Sequence, residues 1–109
     1  RAAAELLGRT DIEITEDDFI IDHGPEEDPY SGIGYNIPDA GTYEAIRTFA
    51  TAEAIFLDPC YSGKAARAYL NFVEQEATAA DTVLFVHTGG SPGLWAKVNM
   101  DYLNDHPQG

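Results

Sequence analysis

The run Thr82-Val83-Leu84-Phe85-Val86, β-branched and aromatic and soon followed by Gly89-Gly90, constrains the fold more than any other part of the chain. Such a run between polar flanks is the pattern of a strand buried on both faces of a parallel sheet. Upstream, Ile55-Phe56-Leu57 is a second short apolar run, read as a strand or extended turn. Asp58-Pro59 stops it, because proline drives the preceding residue out of helical geometry. Between the two runs a helix follows Ser62-Gly63, with Ala66, Tyr69, Leu70 and Val73 along one face. Strand, loop, helix, strand is the order of an α/β unit, so the expected fold class is α/β, with parallel strands and flanking helices.

The remainder of the chain is read the same way. Ala2 to Leu7 are helix formers and Gly8 a natural stop. Ile12, Ile14, Phe19, Ile20 and Ile21, broken by acidic residues, predict one or two short edge strands. Residues 22–37 hold Gly24, Pro25, Pro29, Gly32 and Gly34 among acidic side chains, too many breakers for a regular element, and predict a long loop. A helix is expected from Gly41-Thr42, with Thr42 as N-cap and Ile46, Phe49 and Ala50 on its apolar stripe, ending near Ala54. Ser91-Pro92-Gly93 opens a short helix through Leu94, Trp95 and Ala96, and residues 101–109 read as frayed.

The chain has 109 residues, enough for one core. Nineteen acidic residues against six basic ones give a net charge of −13, which repels nucleic acid and anionic membrane surfaces. Lys64 and Lys97 are the only lysines. An acidic, lysine-poor surface keeps a protein hydrated in high salt, and equally serves ordinary solubility. No apolar stretch approaches a membrane span, and the start at Arg1 carries neither a signal-peptide pattern nor a methionine, so the expectation is a cytoplasmic chain that is part of a longer one. Cys60 is the sole cysteine, which excludes an internal disulfide and a cysteine zinc cluster, and its setting predicts a buried, inert thiol. His23, His87 and His106 lack ligand spacing, so no metal site is expected.

Ligands of α/β units sit at the carboxyl ends of strands, where Tyr61, Ser62 and Thr88 would fall. Each also has a plain structural role open to it: Tyr61 as a core tyrosine, Ser62 as a helix cap and Thr88 as a partner for a backbone group. Gly32-Ile33-Gly34 and Gly89-Gly90 are glycine turns of the kind that cradle phosphate, but neither forms a nucleotide-binding motif.

Four segments in order, Gly34-Tyr35-Asn36-Ile37-Pro38, Glu44-Ala45-Ile46-Arg47, Asp58-Pro59-Cys60-Tyr61-Ser62-Gly63-Lys64 and His87-Thr88-Gly89-Gly90, resemble the C-terminal part of the pyridoxal-phosphate enzymes that include D-cysteine desulfhydrase and 1-aminocyclopropane-1-carboxylate deaminase. The resemblance implies that residues 1–109 are the C-terminal part of the large domain of a tryptophan-synthase-β-like (fold type II) enzyme. It implies pyridoxal 5'-phosphate as cofactor, a small amino acid as substrate and a homodimer in the complete protein. By the same resemblance Tyr35 and Tyr61 are the catalytic tyrosines facing the substrate, and Ser62, Thr88 and Gly89 contact the cofactor. Deaminases of the family place glutamate and leucine where this chain has Ser62 and Thr88, so desulfhydration is the expected specificity. A hydroxyl beside the pyridine nitrogen leaves the ring a weaker electron sink than a carboxylate would, sufficient for a good leaving group such as thiolate.

Two departures stand out: Ala54 replaces a family glycine, and residues 22–32 are longer and more acidic than the usual approach to the first tyrosine. The lysine that carries the cofactor and the phosphate-binding loop belong to a family region missing from this sequence, and Lys64, at a helix start, is not that lysine. The competing expectation is a freestanding acidic α/β module that binds a partner or small ligand without catalysis.

Overall fold

A computed structural model describes residues 2–107. Its regular elements among those residues are helices α1 (Ala2–Leu6), α2 (Ala40–Glu53), α3 (Ser62–Gln75) and α4 (Lys97–Asp105), with single 3-10 turns at Glu16–Asp18 and Ser91–Trp95. No helix among them is long and apolar enough to cross a membrane.

The expected α/β class is not what the chain adopts. Among the described residues there is no sheet, only an isolated antiparallel bridge between Gly34 and Ile37. Residues 82–86 carry the side chains of a strand, but no described segment offers them a ladder of backbone donors and acceptors, and pairing rather than composition makes a sheet. Burial along this run alternates, with Val83 and Phe85 half-buried and Leu84 and Val86 exposed, so one side rests on the helices and the other faces outward. A strand buried on both faces is therefore ruled out. The apolar residues of 12–21 are likewise exposed and unpaired, interrupted by the Glu16–Asp18 turn, and residues 55–57 run without regular structure.

Helix α2 begins at Ala40, earlier than its pattern predicts. Asp39 is the N-cap, its Oδ1 accepting the Thr42 amide at 2.7 Å. Thr42 is instead fully buried, and its hydroxyl has no hydrogen-bond partner among the described residues. The helix closes on Ala54, held in the left-handed region at φ 56°, ψ 30°, with the amides of Ala54 and Ile55 turned back onto the carbonyls of Ala50 and Phe49. Residues 101–105, expected to fray, are the second half of α4. Gln108 and Gly109 lie outside the described residues.

The core lies between α2 and α3. Tyr43, Ala45, Ile46 and Phe49 of α2 meet Leu57, Ala66 of α3 and Leu94. Phe85 inserts between Phe49 and Tyr69, with ring centroids 5.1 and 5.6 Å away, and this contact fixes the apolar run to the helices. Each such aromatic pair contributes about 0.5–1.5 kcal/mol beyond the area it buries. Helix α4 docks through polar groups as well as apolar ones: the Tyr43 hydroxyl donates to Asn99 Oδ1 at 2.9 Å, and Asn99 Nδ2 donates to the Gly93 carbonyl at 2.8 Å. Tyr102 stacks on Tyr43 at 4.0 Å.

Candidate active site

The turn between Leu57 and α3 is organised by one carboxylate. Asp58, only 2% exposed, accepts the amides of Cys60 and Tyr61 on Oδ2, both at 2.7 Å, and the Ser62 amide on Oδ1 at 2.9 Å. The Ser62 hydroxyl adds a fourth bond to Oδ1 at 2.5 Å and accepts the Asp58 amide at 2.9 Å. Pro59 suits its place, because it has no amide proton to satisfy and the carboxylate reaches past it to the next three. Burial pushes the Asp58 carboxyl up, but the bonds from Ser62, Tyr61 and Cys60 outweigh it and hold the group below its ordinary value. Asp58 stays a carboxylate, and the opening of α3 is built around it.

Two glycines let other elements approach this turn. A β-carbon on Gly63 would fall 2.6 Å from the Asp58 carbonyl oxygen and 2.9 Å from the Ile46 side chain, so only glycine allows α3 to start against α2 this closely. A β-carbon on Gly90, at φ +87°, would fall 2.6 Å from Asp58 Oδ1. Residues 87–91 are also fastened to the Phe56 carbonyl, which His87 Nε2 and Ser91 Oγ both reach at 3.0 Å. The Gly89 amide donates to His87 Nδ1 at 3.0 Å, which leaves Nε2 to carry the imidazole proton toward Phe56. His87 thus serves as a bracket between two loops.

These restraints surround a cavity of about 590 Å³. Tyr35, Tyr61, Ser62 and Thr88 all line it, so four of the five residues singled out from sequence share one space; Gly89 is not among the lining residues. The Tyr35 and Tyr61 rings meet edge to face with centroids 5.9 Å apart. Hydrogen bonding to the Tyr35 hydroxyl is the main reason the Tyr61 phenol is pushed up to about 12. The phenol therefore stays protonated at neutral pH. Ser62 is buried, and its hydroxyl proton is committed to Asp58 rather than offered to the cavity. It does not cap α3 with its side chain; it is the first helical residue, its amide taken by the Asp58 carboxylate and that of Gly63 by the Asp58 carbonyl. Cys60 is half-buried at the cavity wall, less enclosed than expected.

Sequence reasoning missed Asp58 and Lys64 as working parts of the site. Asp58 reads as a strand stop, although an aspartate before proline and four residues ahead of a helix is a recognisable signature of a side chain that gathers amides. Lys64 Nζ donates to the Ser31 carbonyl at 2.5 Å and the Gly34 carbonyl at 3.0 Å, a partnership across about thirty residues that no local pattern announces.

The chain is 39% identical over 70 residues to the D-cysteine desulfhydrase of Salmonella newport (strain SL254), and matches those of Salmonella heidelberg (strain SL476) and Salmonella agona (strain SL483) to the same degree. It is similar to D-cysteine desulfhydrases. Each match covers 63% of this chain and 21% of the relative, so the chain spans about a fifth of the length of the curated relatives it matches. No family model and no solved structure matches it.

Proposed function

We propose that this chain is the C-terminal part of a pyridoxal-phosphate-dependent lyase that converts D-cysteine and water to pyruvate, hydrogen sulfide and ammonia. The observation that carries the reading is the convergence of Tyr35, Tyr61 and Thr88 on one cavity, with the Tyr61 phenol held neutral. The identity to D-cysteine desulfhydrases supports it independently.

The residues present fit one side of the cofactor. The two phenols and the Thr88 hydroxyl line a space into which a substituted pyridine ring and a small amino acid fit. Neither lysine offers an amine for carrying the group, since Lys64 is spent on loop carbonyls and Lys97 pairs with Asp101. A carrier lysine and a phosphate cradle belong to sequence beyond this chain. Pyridoxal phosphate, when bound, accepts the electron pair left on the substrate α-carbon as its proton departs.

The chain's own residues then act on the β-substituent. Tyr61, protonated at neutral pH, donates a hydrogen bond to the sulfur as the carbon–sulfur bond breaks, and Tyr35 packs edge to face against its ring. Asp58 acts indirectly, fixing the backbone on which Tyr61 and Ser62 sit.

The test is elimination by the complete, cofactor-loaded polypeptide. Release of pyruvate and sulfide from D-cysteine is expected, with Tyr61→Phe lowering kcat far more than cofactor affinity. Absence of turnover with D-cysteine, or equal loss of both quantities in Tyr61→Phe, overturns the reading. Specificity against the cyclopropane amino acid is better probed by Thr88→Leu than at position 62, because Ser62→Glu would press a second carboxylate against buried Asp58. Thr88→Leu should move the kcat/KM ratio toward ring opening, and an unmoved ratio removes Thr88 from specificity.

A further inference from the structure

Residues 22–37 form the longest stretch of described chain without a helix on the approach to the cavity, and they bring Tyr35 to it. A segment with so many glycines, prolines and acidic residues has no core of its own to hold its shape. Its order comes from one face of α3. Lys64, Arg67 and Asn71 are spaced by three and four residues, so they project along the same side of the helix. Each takes a different part of the loop. Asn71 Nδ2 donates to the Tyr30 hydroxyl at 3.2 Å, Arg67 pairs with Asp28 and, at 2.9 Å, with Asp39, and Lys64 takes the carbonyls of Ser31 and Gly34.

The Lys64 contact is the one that reaches the site. The Gly34 carbonyl accepts both Lys64 Nζ at 3.0 Å and the Ile37 amide at 3.3 Å. It therefore closes a four-residue turn whose second residue is Tyr35. Asn36 occupies the third position at φ 55°, the left-handed conformation that a type II turn demands there and that asparagine tolerates. On the other side, Lys64 stands three residues beyond Tyr61 at the start of α3. One ammonium group thus ties the turn that presents Tyr35 to the helix that presents Tyr61.

We propose that Lys64 is the positioning residue that sets Tyr35 against Tyr61 across the cavity. Lys64 also lines the cavity, but in this role it acts through the turn, its ammonium held by the two carbonyls of an acidic segment. The inference rests on the reading of the two tyrosines as working groups, but its test does not require turnover.

The experiment follows the phenol of Tyr61 by nuclear magnetic resonance in the chain carrying carbon-labelled tyrosine, with Tyr61→Phe identifying its signal. In Lys64→Met the aliphatic stem is kept and the ammonium lost. The alkaline midpoint of Tyr61 should fall from about 12 toward about 10, the ordinary phenol value, and the Tyr35–Tyr61 ring contact should disappear. Lys64→Arg, which keeps charge and donors, should restore both. Tyr43, in the core beside Tyr102, should keep its raised midpoint in every variant, which separates loss of the tether from loss of the fold. If Lys64→Met does not fold, Lys64→Gln, too short to reach both carbonyls, should give the same fall. An unchanged Tyr61 midpoint and an intact ring contact in a folded Lys64→Met or Lys64→Gln variant overturn the proposal, as does failure of Lys64→Arg to restore them. Failure of the desulfhydrase reading would instead show in the elimination assay, with the tyrosine titrations unaffected.

Discussion

The Ser62 hydroxyl and the Asp58 carboxylate form a closed exchange: Ser62 Oγ donates to Oδ1 at 2.5 Å and receives the Asp58 amide at 2.9 Å. With three further amides on the same carboxylate, the start of α3 depends on a single ionised group that is almost fully enclosed. Asp58→Asn would turn an amide donor toward other donors and should destabilise the chain by about 1–3 kcal/mol. The sign of the pH dependence follows from the lowered carboxyl: the folded chain holds this proton more weakly than the unfolded one. The contribution is complete above about pH 4 and is lost as pH falls through the lowered value. Denaturant unfolding from neutral to acid pH should show a shallower acid limb in Asp58→Asn than in the native chain.

Tyr61 gives the opposite dependence. Its phenol is pushed up to about 12, chiefly by its bond to Tyr35, so the fold favours the neutral form. That preference is fully present below about pH 10 and disappears as pH rises through about 12. Tyr35→Phe removes the neighbouring hydroxyl and should bring the Tyr61 midpoint down toward about 10 in an ultraviolet titration. A midpoint still near 12 would show that Tyr35 is not the cause.

Gly89 and Gly90 should respond unequally to alanine. Both have positive φ, 101° and 87°, and either substitution carries left-handed strain of about 1–2 kcal/mol. Around Gly89 a β-carbon meets nothing within 4 Å, whereas at Gly90 it collides with Asp58. Thermal unfolding should therefore rank Gly90→Ala well below Gly89→Ala, and equal melting temperatures would contradict the close approach.

Ala54 carries the same strain in the native chain, at φ 56° where α2 ends. Ala54→Gly should stabilise by about 0.5–1 kcal/mol, the relief of left-handed strain less the entropy that glycine loses on folding. A lower melting temperature for Ala54→Gly would mean that the methyl group packs usefully.

The helical half of the chain was legible because helices are local. The apolar stripe of Ile46 and Phe49 and that of Ala66, Tyr69 and Leu70 mark α2 and α3, since every backbone bond of a helix is made within a few residues. The run at 82–86 was misread for the complementary reason: its side chains state a preference, while its partners are a property of the whole molecule. Thr42 was taken as a cap because threonine caps helices, but Asp39 lies one turn earlier and holds the bond more strongly as a carboxylate. Tyr35, Tyr61, Ser62 and Thr88 were singled out from motifs, and they line one cavity. Of the bonds that arrange them, those of Asp58 had a local signature that went unread, whereas those of Lys64 were hidden because they join residues about thirty positions apart.

Asp39 divides its two oxygens between separate duties, Oδ1 on the Thr42 amide and Oδ2 on Arg67. The first turn of α2 and the tether of the acidic loop therefore share one side chain. Loss of the Arg67 contact would leave that carboxylate free to rotate and should raise hydrogen exchange at the Thr42 amide. A single backbone proton in the first turn of α2 would thus report the opening of the segment that delivers Tyr35.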